Sequence, residues 1–276
     1  MHVRLWGTRG SLASPGPDTL RYGGNTSCVE VTSDDVRLVL DAGTGIRALG
    51  RSLGDFTGRV DILLTHLHLD HLQGIGFFGP IFRAGVEVHI WGPPSSTMDL
   101  RERLARYLSP PLFPVRLRDL GQRVSLHDVP AGEFRIGEVR VVGEPIIHPG
   151  PTVGYRISAG GVTLAYLPDH EPALGAPRFP LAPRWTSGEA LADGADLLIH
   201  DVQYTSAEYP AHVGWGHSSE QHAWALAHQA GARRLVTFHH DPGHSDDQLD
   251  AMVRALADRG GPEVIGGTEG LELDVA

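Results

Sequence analysis

The fold of this chain is decided by the stretch Thr65-His66-Leu67-His68-Leu69-Asp70-His71, which follows the largely apolar run 60–64. That run predicts a buried strand, so three imidazoles and a carboxylate stand at a strand end. Zinc and similar divalent ions prefer such ligands. In an extended segment His66 and His68 point to one side, and Asp70 and His71 follow where a helix should begin. The pattern favours a metal site, in which Asp70 and His71 can serve a second ion beside the first. The alternative is a polar strand end without metal, although four adjacent ligand types seldom cluster without use.

The composition is that of a globular protein with a substantial core. The chain has 276 residues, of which 41% are hydrophobic and 20% charged. No composition break marks a linker, so we expect one domain over residues 1–276. No apolar run approaches the roughly 20 residues that span a membrane, so no membrane partner is expected. The single cysteine, Cys28, excludes an internal disulfide, and residues 1–6 lack a signal-peptide pattern; we therefore expect a cytoplasmic protein.

The net charge of −10 works against broad nucleic-acid binding, although a local basic patch is compatible with it. All 23 basic residues are arginine. One interval concentrates them: Arg101, Arg103, Arg106, Arg116, Arg118 and Arg123. These arginines either meet substrate phosphates or form a solvated helix face with Asp99 and Glu102. From the sequence we favour the solvated face.

Strands and helices are predicted in both halves of the chain. The predicted strands cover residues 3–6, 28–32, 36–40, 60–64, 86–91, 139–142, 154–158, 162–167, 195–200 and 235–238. The predicted helices include a short one through 48–49 and others over 98–108, 219–230 and 246–258, and residues 171–187 predict a long surface loop. Strands in both halves with helices between them suggest two sheets packed face to face with helices outside.

Further ligand-type residues stand at the ends of predicted strands. They are His148, Asp169, His200, Asp201, His239 and His240. A single histidine at a strand end is more often a hydrogen-bonded structural residue than a ligand. Catalytic residues concentrate on loops at strand ends, and the occurrence of all these residues in this order favours a common site.

These motifs resemble the metallo-β-lactamase fold superfamily, whose signature is the His-x-His-x-Asp-His loop found at 66–71. Over roughly residues 3–270 the chain is similar to the phosphodiesterase branch that contains ribonuclease Z and phosphoribosyl cyclic phosphate phosphodiesterase. The elements that carry this similarity are Leu5-Trp6-Gly7-Thr8, Leu40-Asp41-Ala42-Gly43-Thr44-Gly45, Leu198-Ile199-His200-Asp201, Gly216-His217-Ser218-Ser219 and the run 235–242.

The resemblance implies an α/β protein folded as a four-layer αββα sandwich with two divalent ions at one edge. Zinc is the first expectation, and manganese or iron would suit the same ligands. His66, His68 and His148 would hold one ion. Asp70, His71 and His239 would hold the other, and the Asp169 carboxylate would bridge both. The implied nucleophile is a metal-bridging hydroxide, so no side-chain nucleophile is needed. Asp70, as a ligand of an ion that would activate this hydroxide, is also counted among the catalytic residues.

His217 is the candidate donor of a proton to the leaving group, with Asp201 as the residue that orients it. Both follow from the resemblance, since His217 matches the histidine of the branch's Gly-His-Ser-Thr element. The chain departs from the branch at 200–203, where His-Asp-Val-Gln replaces His-Glu-Ala-Thr. Because aspartate is one methylene shorter than glutamate, the reach from Asp201 to His217 is in question. The alternative is that His217 merely neighbours a helix cap.

Two further assignments stay open from sequence. His239 is favoured over His240 as the last ligand because Pro242 then follows it by three residues, as in the branch's His-Phe-Ser-Pro pattern; His240 and His244 would support the site or lie at the surface. Asp41 would either orient a ligand imidazole or cap the glycine-rich turn that it begins.

The sequence therefore predicts a cytoplasmic, binuclear metal-dependent phosphodiesterase for a nucleotide, cyclic phosphate or short nucleic acid. The main rival hypothesis is a ribonuclease Z-type endoribonuclease with RNA as its substrate. The interval 93–120 is too short and proline-rich for the long tRNA-holding arm of such enzymes, which favours a small phosphodiester. Less favoured are a thioesterase or lactonase of the same fold and a metal-binding sensor without turnover. The resemblance leaves oligomeric state open, although homodimers are frequent in the branch.

Overall fold

The computed structural model describes residues 1–120, 124–176, 178–180 and 182–276. Arg123 of the basic interval, and Pro177 and Leu181 of the predicted loop, lie outside the described residues. The strands are β1 (His2–Gly7), β2 (Cys28–Ser33), β3 (Val36–Leu40), β4 (Gly58–Leu63), β5 (Val86–Gly92), β6 (Val124–Asp128), β7 (Gly132–Ile136), β8 (Val139–Pro145), β9 (Val153–Ala159), β10 (Val162–Leu167), β11 (Leu197–Asp201), β12 (Arg234–Phe238), β13 (Glu263–Gly266) and β14 (Glu272–Asp274). The α-helices are α1 (Ile46–Ser52), α2 (Leu69–Leu72), α3 (Leu100–Tyr107), α4 (Glu189–Ala192), α5 (Glu220–Gln229) and α6 (Asp246–Ala257).

The strands form two sheets that repeat one arrangement. Their orders are β14-β1-β2-β3-β4-β5-β6 and β13-β12-β11-β10-β9-β8-β7. In the first sheet β1 to β3 pair antiparallel and β3 to β6 pair parallel. In the second, β7 to β10 pair antiparallel and β10 to β13 pair parallel. Parallel neighbours need crossover connections, and the helices lie in those connections.

Alternating side chains place one apolar core between the sheets and another on each outer face. Side chains of successive strand residues point to opposite faces. On β3, Leu38 and Leu40 therefore join the core between the sheets, whereas Val39 packs in the core beneath α1. On β10, Tyr166 points into the central core and Ala165 into the core beneath α4 and α5. Two packed sheets with helices outside each give the expected αββα layers.

The helices begin where the sequence provides side-chain caps. Asp99 accepts a hydrogen bond from Glu102 N at the start of α3, and Ser219 accepts one from His222 N at the start of α5. Ser245 and Gln248 form a capping box at the start of α6. Such caps satisfy backbone donors that have no partner within the helix. The cap at Ser219 fixes the start of α5 three residues after His217.

The structure adds elements that the sequence did not predict. The strands β6 and β7 and the short helix α4 were not foreseen, and the predicted loop over 171–187 contains a turn of 3-10 helix at Pro183–Trp185. The tail from Glu263, expected to be mixed, supplies the edge strands β13 and β14 of the two sheets. β14 pairs antiparallel with β1, so the end of the chain extends the sheet in which the chain begins.

Cys28 is fully buried in the core that packs beneath α1. Burial raises the pKa of its thiol well above the ordinary value, which keeps the group in its less reactive protonated form. Among the described helices, none combines the length and the apolar character needed to cross a bilayer.

Candidate metal centre

The candidate ligands lie at one edge of the sandwich, where strands of both sheets end. His66, His68, Asp70 and His71 follow β4 of the first sheet. The second sheet contributes three further side chains, one after each of the strands β8, β10 and β12: His148, Asp169 and His239. The topology thus brings together residues separated by up to 173 positions, the span from His66 to His239.

His66, His68 and His148 form the first group, in which one nitrogen of each imidazole lies within 4.8 Å of the others. The Nδ1 atom of His68 is 3.2 Å from Nε2 of His148. The Nε2 atom of His66 is buried and has no hydrogen-bond partner among the described residues. A buried polar atom without a partner is costly unless something absent from the protein chain satisfies it.

Asp70, His71, Asp169 and His239 form the second group, again with ligand-type atoms within 4.8 Å of one another. The Nε2 atoms of His71 and His239 are 3.3 Å apart. Asp70 Oδ2 lies 3.2 Å from His71 Nε2 and 3.1 Å from His239 Nε2, and it also accepts a hydrogen bond from the backbone N–H of Ser11.

Asp169 lies between the two groups. Its Oδ1 atom is 2.9 Å from His71 Nε2. Its Oδ2 atom is 3.3 Å from His239 Nε2, 3.7 Å from His66 Nε2 and 3.8 Å from His148 Nε2. The carboxylate therefore reaches the inner nitrogens of both groups, which is the position that a bridging ligand would need.

The outer nitrogens of three of these imidazoles are held by groups that can only accept. His71 Nδ1 donates to Asp41 Oδ2 at 2.8 Å, and His148 Nδ1 donates to the carbonyl oxygen of Gly216 at 2.8 Å. His239 Nδ1 donates to Gln203 Oε1 at 2.9 Å. Since neutral imidazole carries its one proton on Nδ1 in each case, the Nε2 lone pairs point inward.

The inward lone pairs and carboxylates fit divalent cations. When His71 and His239 are both neutral, their facing Nε2 lone pairs repel one another unless positive charge lies between them. Burial lowers the pKa of His66 well below its ordinary value, which favours its neutral, ligating form. Burial lowers the pKa of His71, but the carboxylates of Asp169, Asp70 and Asp41 raise it by more, so that the net shift is upward. These carboxylates therefore favour a positive charge at this position, which either a proton or a metal ion can supply. The nitrogen and oxygen donors suit zinc, manganese and iron.

His217 and Asp201 lie beside this centre. His217 Nδ1 is 2.7 Å from Asp201 Oδ2, so the shorter aspartate does reach the imidazole. The His217 ring stacks on His239 with centroids 4.9 Å apart, and its Nδ1 is 4.0 Å from Asp169 Oδ2. Although burial acts in the opposite direction, the Asp201 carboxylate raises the pKa of His217 to about 9.

Asp201 is itself fixed by the backbone around it. It is fully buried, and its carboxylate accepts hydrogen bonds from the backbone N–H groups of His170, Gln203 and Ser218. Three backbone donors leave the carboxylate one orientation, directed at His217. The His217–Asp201 pair is therefore preorganised beside the two ligand groups, with Nδ1 of His217 bound to Asp201.

Comparison with known families decides the class of this fold. The sequence profile described as a beta-lactamase superfamily domain matches residues 36–240, which is most of the chain. The chain belongs to this superfamily.

Relatives of known name and solved structures agree with this assignment. A ribonuclease Z of Myxococcus xanthus (strain DK1622) is 29% identical over 277 aligned residues, covering 86% of this chain and 88% of that protein. A structure described as a new diphosphatase from the PhnP family superposes with a TM-score of 0.72 at 16% identity, covering 100% and 98% of the two chains. The short form of human tRNase Z superposes with a TM-score of 0.69 at 21% identity over the full length of both. The expected metallo-β-lactamase fold, and the resemblance to its phosphodiesterase branch, are confirmed.

In this member of the superfamily Asp41 does more than cap a turn. Its fully buried carboxylate accepts from His71 Nδ1, from the backbone N–H and hydroxyl of Thr65, and from the Tyr166 hydroxyl. Thr65 in turn accepts from His66 Nδ1 at 3.0 Å. Asp41 thus orients His71 directly and His66 through Thr65.

The neighbouring histidines His240 and His244 belong to neither ligand group. His240 Nε2 donates to the carbonyl oxygen of Gly267, and His244 Nε2 lies 3.0 Å from Glu208 Oε1. Both are buried. Consecutive residues His239 and His240 diverge because His239 adopts a left-handed backbone conformation, with φ of 56°, which few residues other than glycine adopt.

Several residues that hold the site were not identified from sequence. Gln203 orients His239, Tyr166 supports Asp41, and the Gly216 carbonyl orients His148. Of these, only Gln203 could have been suspected from the sequence, since it lies within the segment 200–203 that departs from the branch's pattern. A contact made by a backbone carbonyl, such as that of Gly216, cannot be recognised from the residue type.

Arg101 and Arg106 of α3 are exposed, and neither Asp99 nor Glu102 forms an ion pair with an arginine of this helix among the described residues. The Asp99 carboxylate caps the helix, and Arg103 donates instead to the backbone carbonyl oxygens of Pro93 and Asp99. Among the described residues Arg103 forms one ion pair, with Asp128 at 3.7 Å. Arg106 makes no ion pair with any described residue.

Proposed function

We propose that this protein is a binuclear metal-dependent phosphodiesterase. His66, His68 and His148 would hold one divalent cation, Asp70, His71 and His239 a second, and Asp169 both, with zinc the first candidate and manganese or iron the others. The observation that carries the proposal is the convergence of Nε2 lone pairs and carboxylates beside the His217–Asp201 pair. Two such ions, when bound, supply Lewis-acid stabilisation of a displacement at phosphorus and acidify a water as its nucleophile.

The chain's own contribution is to hold the donors and to supply a proton. Asp201 fixes His217 by its Nδ1–H, and its carboxylate raises the pKa of His217, to about 9 in the metal-free protein, which favours the imidazolium form. A charged imidazolium next to the cation pair can protonate a departing alkoxide. A thioesterase or lactonase would leave the His217–Asp201 pair without an evident task, which favours the phosphodiester.

The proposed substrates are a nucleotide, a cyclic phosphate or a short nucleic acid. A second candidate function is a ribonuclease Z-type endoribonuclease acting on tRNA 3′ ends. The name of the Myxococcus xanthus relative and the matched length of the two chains favour it. We also propose that residues 1–276 form one domain, because β14 pairs with β1, and that the protein is cytoplasmic. A homodimer stays a prediction.

Hydrolysis of bis-p-nitrophenyl phosphate by zinc- or manganese-reconstituted protein tests the class. The variant His217→Ala is expected to retain its metal while kcat falls about 10²–10⁴-fold, as loss of a general acid predicts. His228→Ala, an exposed histidine of α5, is the matched control and should behave as the wild type. Reconstituted protein that held only trace metal would refute the metal centre, and an unchanged kcat in His217→Ala would remove His217 from the mechanism.

Cleavage of a precursor tRNA separates the two candidate functions. Release of the 3′ trailer at a single position would support the ribonuclease Z-type activity. Activity confined to small diesters would instead support the first proposal.

A further inference from the structure

A groove leads away from the candidate metal centre along α3. One cavity, of ≈ 150 Å³, is lined by His66, His68 and Arg103. A second, of ≈ 340 Å³, is lined by Leu69, Arg103 and Arg106. Leu67 and Arg103 line both, so the two cavities are neighbours along α3. The larger one alone reaches the roughly 300–1,000 Å³ of sites that bind small ligands.

The charged side chains along this groove are basic. Neither cavity has an aspartate or glutamate among its described lining residues, although the protein as a whole carries a net charge of −10. Arg103 is held in place by Pro93 O at 2.6 Å, and its side chain is only 13% exposed. Arg106 is exposed and makes no ion pair with a described residue. A held arginine beside an unpaired one suits a phosphate group.

The wall of the larger cavity is apolar and open to solvent. Leu69 is 60% exposed and Leu112 is 70% exposed, and both line the cavity together with Tyr107. Proteins that bind single-stranded nucleic acids combine basic side chains, which contact the phosphates, with apolar and aromatic side chains, which pack on the faces of the unpaired bases. A lone cyclic phosphate would occupy the smaller cavity next to the ligands and leave the larger one unused.

We propose, on the basis of the function proposed above, that the substrate is a single-stranded oligonucleotide whose chain runs from the metal centre along this groove. The phosphate next to the scissile one contacts Arg103 and Arg106, and the adjoining base packs on Leu69 and Leu112. The specificity of the enzyme for a chain rather than a mononucleotide therefore resides in α3 and the segment that follows it.

Competitive inhibition of bis-p-nitrophenyl phosphate hydrolysis by a single-stranded hexanucleotide tests this groove, whether or not the hexanucleotide is itself cleaved. Wild-type holoenzyme is expected to bind the hexanucleotide at least tenfold more tightly than a mononucleotide. Arg106→Glu is expected to raise the Ki of the hexanucleotide about tenfold or more, since it removes a charge-assisted contact and adds repulsion. Arg106→Lys should restore most of the affinity, and added salt should reduce the difference between variants.

Arg118→Glu is the matched control. Arg118 belongs to the same basic interval but lines a separate cavity with Arg101 and Arg116, away from the candidate ligands. The hexanucleotide should inhibit this variant as it does the wild type, and melting temperatures verify that each variant is folded. An equal Ki for hexanucleotide and mononucleotide, or an equal effect of Arg118→Glu and Arg106→Glu, would overturn the groove while leaving the phosphodiesterase intact. Absence of bis-p-nitrophenyl phosphate hydrolysis would overturn the proposed function itself.

Discussion

At the scale of single residues, Asp41 orients two of the candidate ligands. One buried carboxylate accepts from His71, Thr65 and Tyr166, and through Thr65 it also positions His66. Its backbone is left-handed, with φ of 59°, a conformation that costs energy in a residue other than glycine. The strain persists because four hydrogen bonds hold the side chain in place.

Replacing Asp41 by Asn is expected to weaken metal binding about 10–100-fold, as changes to groups that orient metal ligands do. The amide cannot accept from all the donors that surround the carboxylate, so His71 and His66 lose their fixed orientation. Metal content after dialysis against graded chelator concentrations measures the effect. Asp61→Asn is the control, since Asp61 is equally buried but binds Arg59 and Trp91. Equal metal retention in both variants would show that Asp41 does not support the site.

The neighbouring histidines His239 and His240 show what could not be predicted from the sequence at the scale of residues. The convergence of the candidate ligands could be predicted from the sequence, because imidazoles and carboxylates at strand ends in that order resemble a known family pattern. The separation of His239 from His240 depends on one backbone angle, which the sequence does not reveal. The partner of His148 is a backbone carbonyl, which any residue would provide.

At the scale of elements, the loop between β11 and α5 is attached to the rest of the protein by Glu171. This fully buried carboxylate accepts from the Tyr209 hydroxyl and from the backbone N–H groups of Gly214 and Gly216. Gly216 has φ of 90°, and a Cβ there would lie 2.4 Å from His148 Nδ1. Glycine at 216 is thus required for the loop to approach His148 and present its carbonyl oxygen.

Glu171→Gln is expected to lower both metal retention and kcat. The side-chain amide introduced by this substitution directs an N–H group toward at least one of the three donors that the carboxylate accepts from, so that hydrogen bond is replaced by repulsion. A buried donor left without a partner costs about 1–3 kcal/mol. Tyr209→Phe, which removes a single bond from the same carboxylate, should have a smaller effect. Metal analysis, steady-state kinetics and thermal melting distinguish the two variants. A Tyr209→Phe variant more impaired than Glu171→Gln would contradict this account of the loop.

The elements that sequence patterns failed to predict are mostly at the edges of the sheets. β3 and β12 have apolar side chains on both faces and were predicted close to their observed limits. All four unpredicted strands lie at sheet edges: β13, β14, β6 and β7 are four, three, five and five residues long, and nearly all their residues are half-buried or exposed. Such strands form because a neighbouring strand offers hydrogen bonds, and their own residues do not specify them.

At the scale of the whole molecule, the candidate metal centre joins the two sheets. Four of the candidate ligands follow a strand of the first sheet and three follow strands of the second. The same edge carries direct hydrogen bonds between the sheets, from the Tyr155 hydroxyl to Leu64 O and from Val153 N to Thr65 O. Metal ions bound at this edge would therefore stabilise the packing of the halves.

Removal of the metal is expected to lower the melting temperature. A ligand that binds only the folded state adds about 2.7 kcal/mol when its free concentration is 100 times Kd. For a protein of this size each kcal/mol corresponds to roughly 2–4 °C, so chelation should lower Tm by roughly 5–10 °C. Differential scanning calorimetry with and without chelator, followed by readdition of zinc, measures the shift. Identical melting curves would indicate that the donors are satisfied without metal.

The burial of Cys28 has a practical consequence for spectroscopy. Its thiol is enclosed in the core and has a raised pKa, so maleimide dyes will not label the folded protein under native conditions. A cysteine introduced at Val213, which is 51% exposed in the Glu171-anchored loop, would be the one site to take a fluorophore. Movement of that loop during turnover can then be followed by fluorescence in a protein that keeps its natural cysteine.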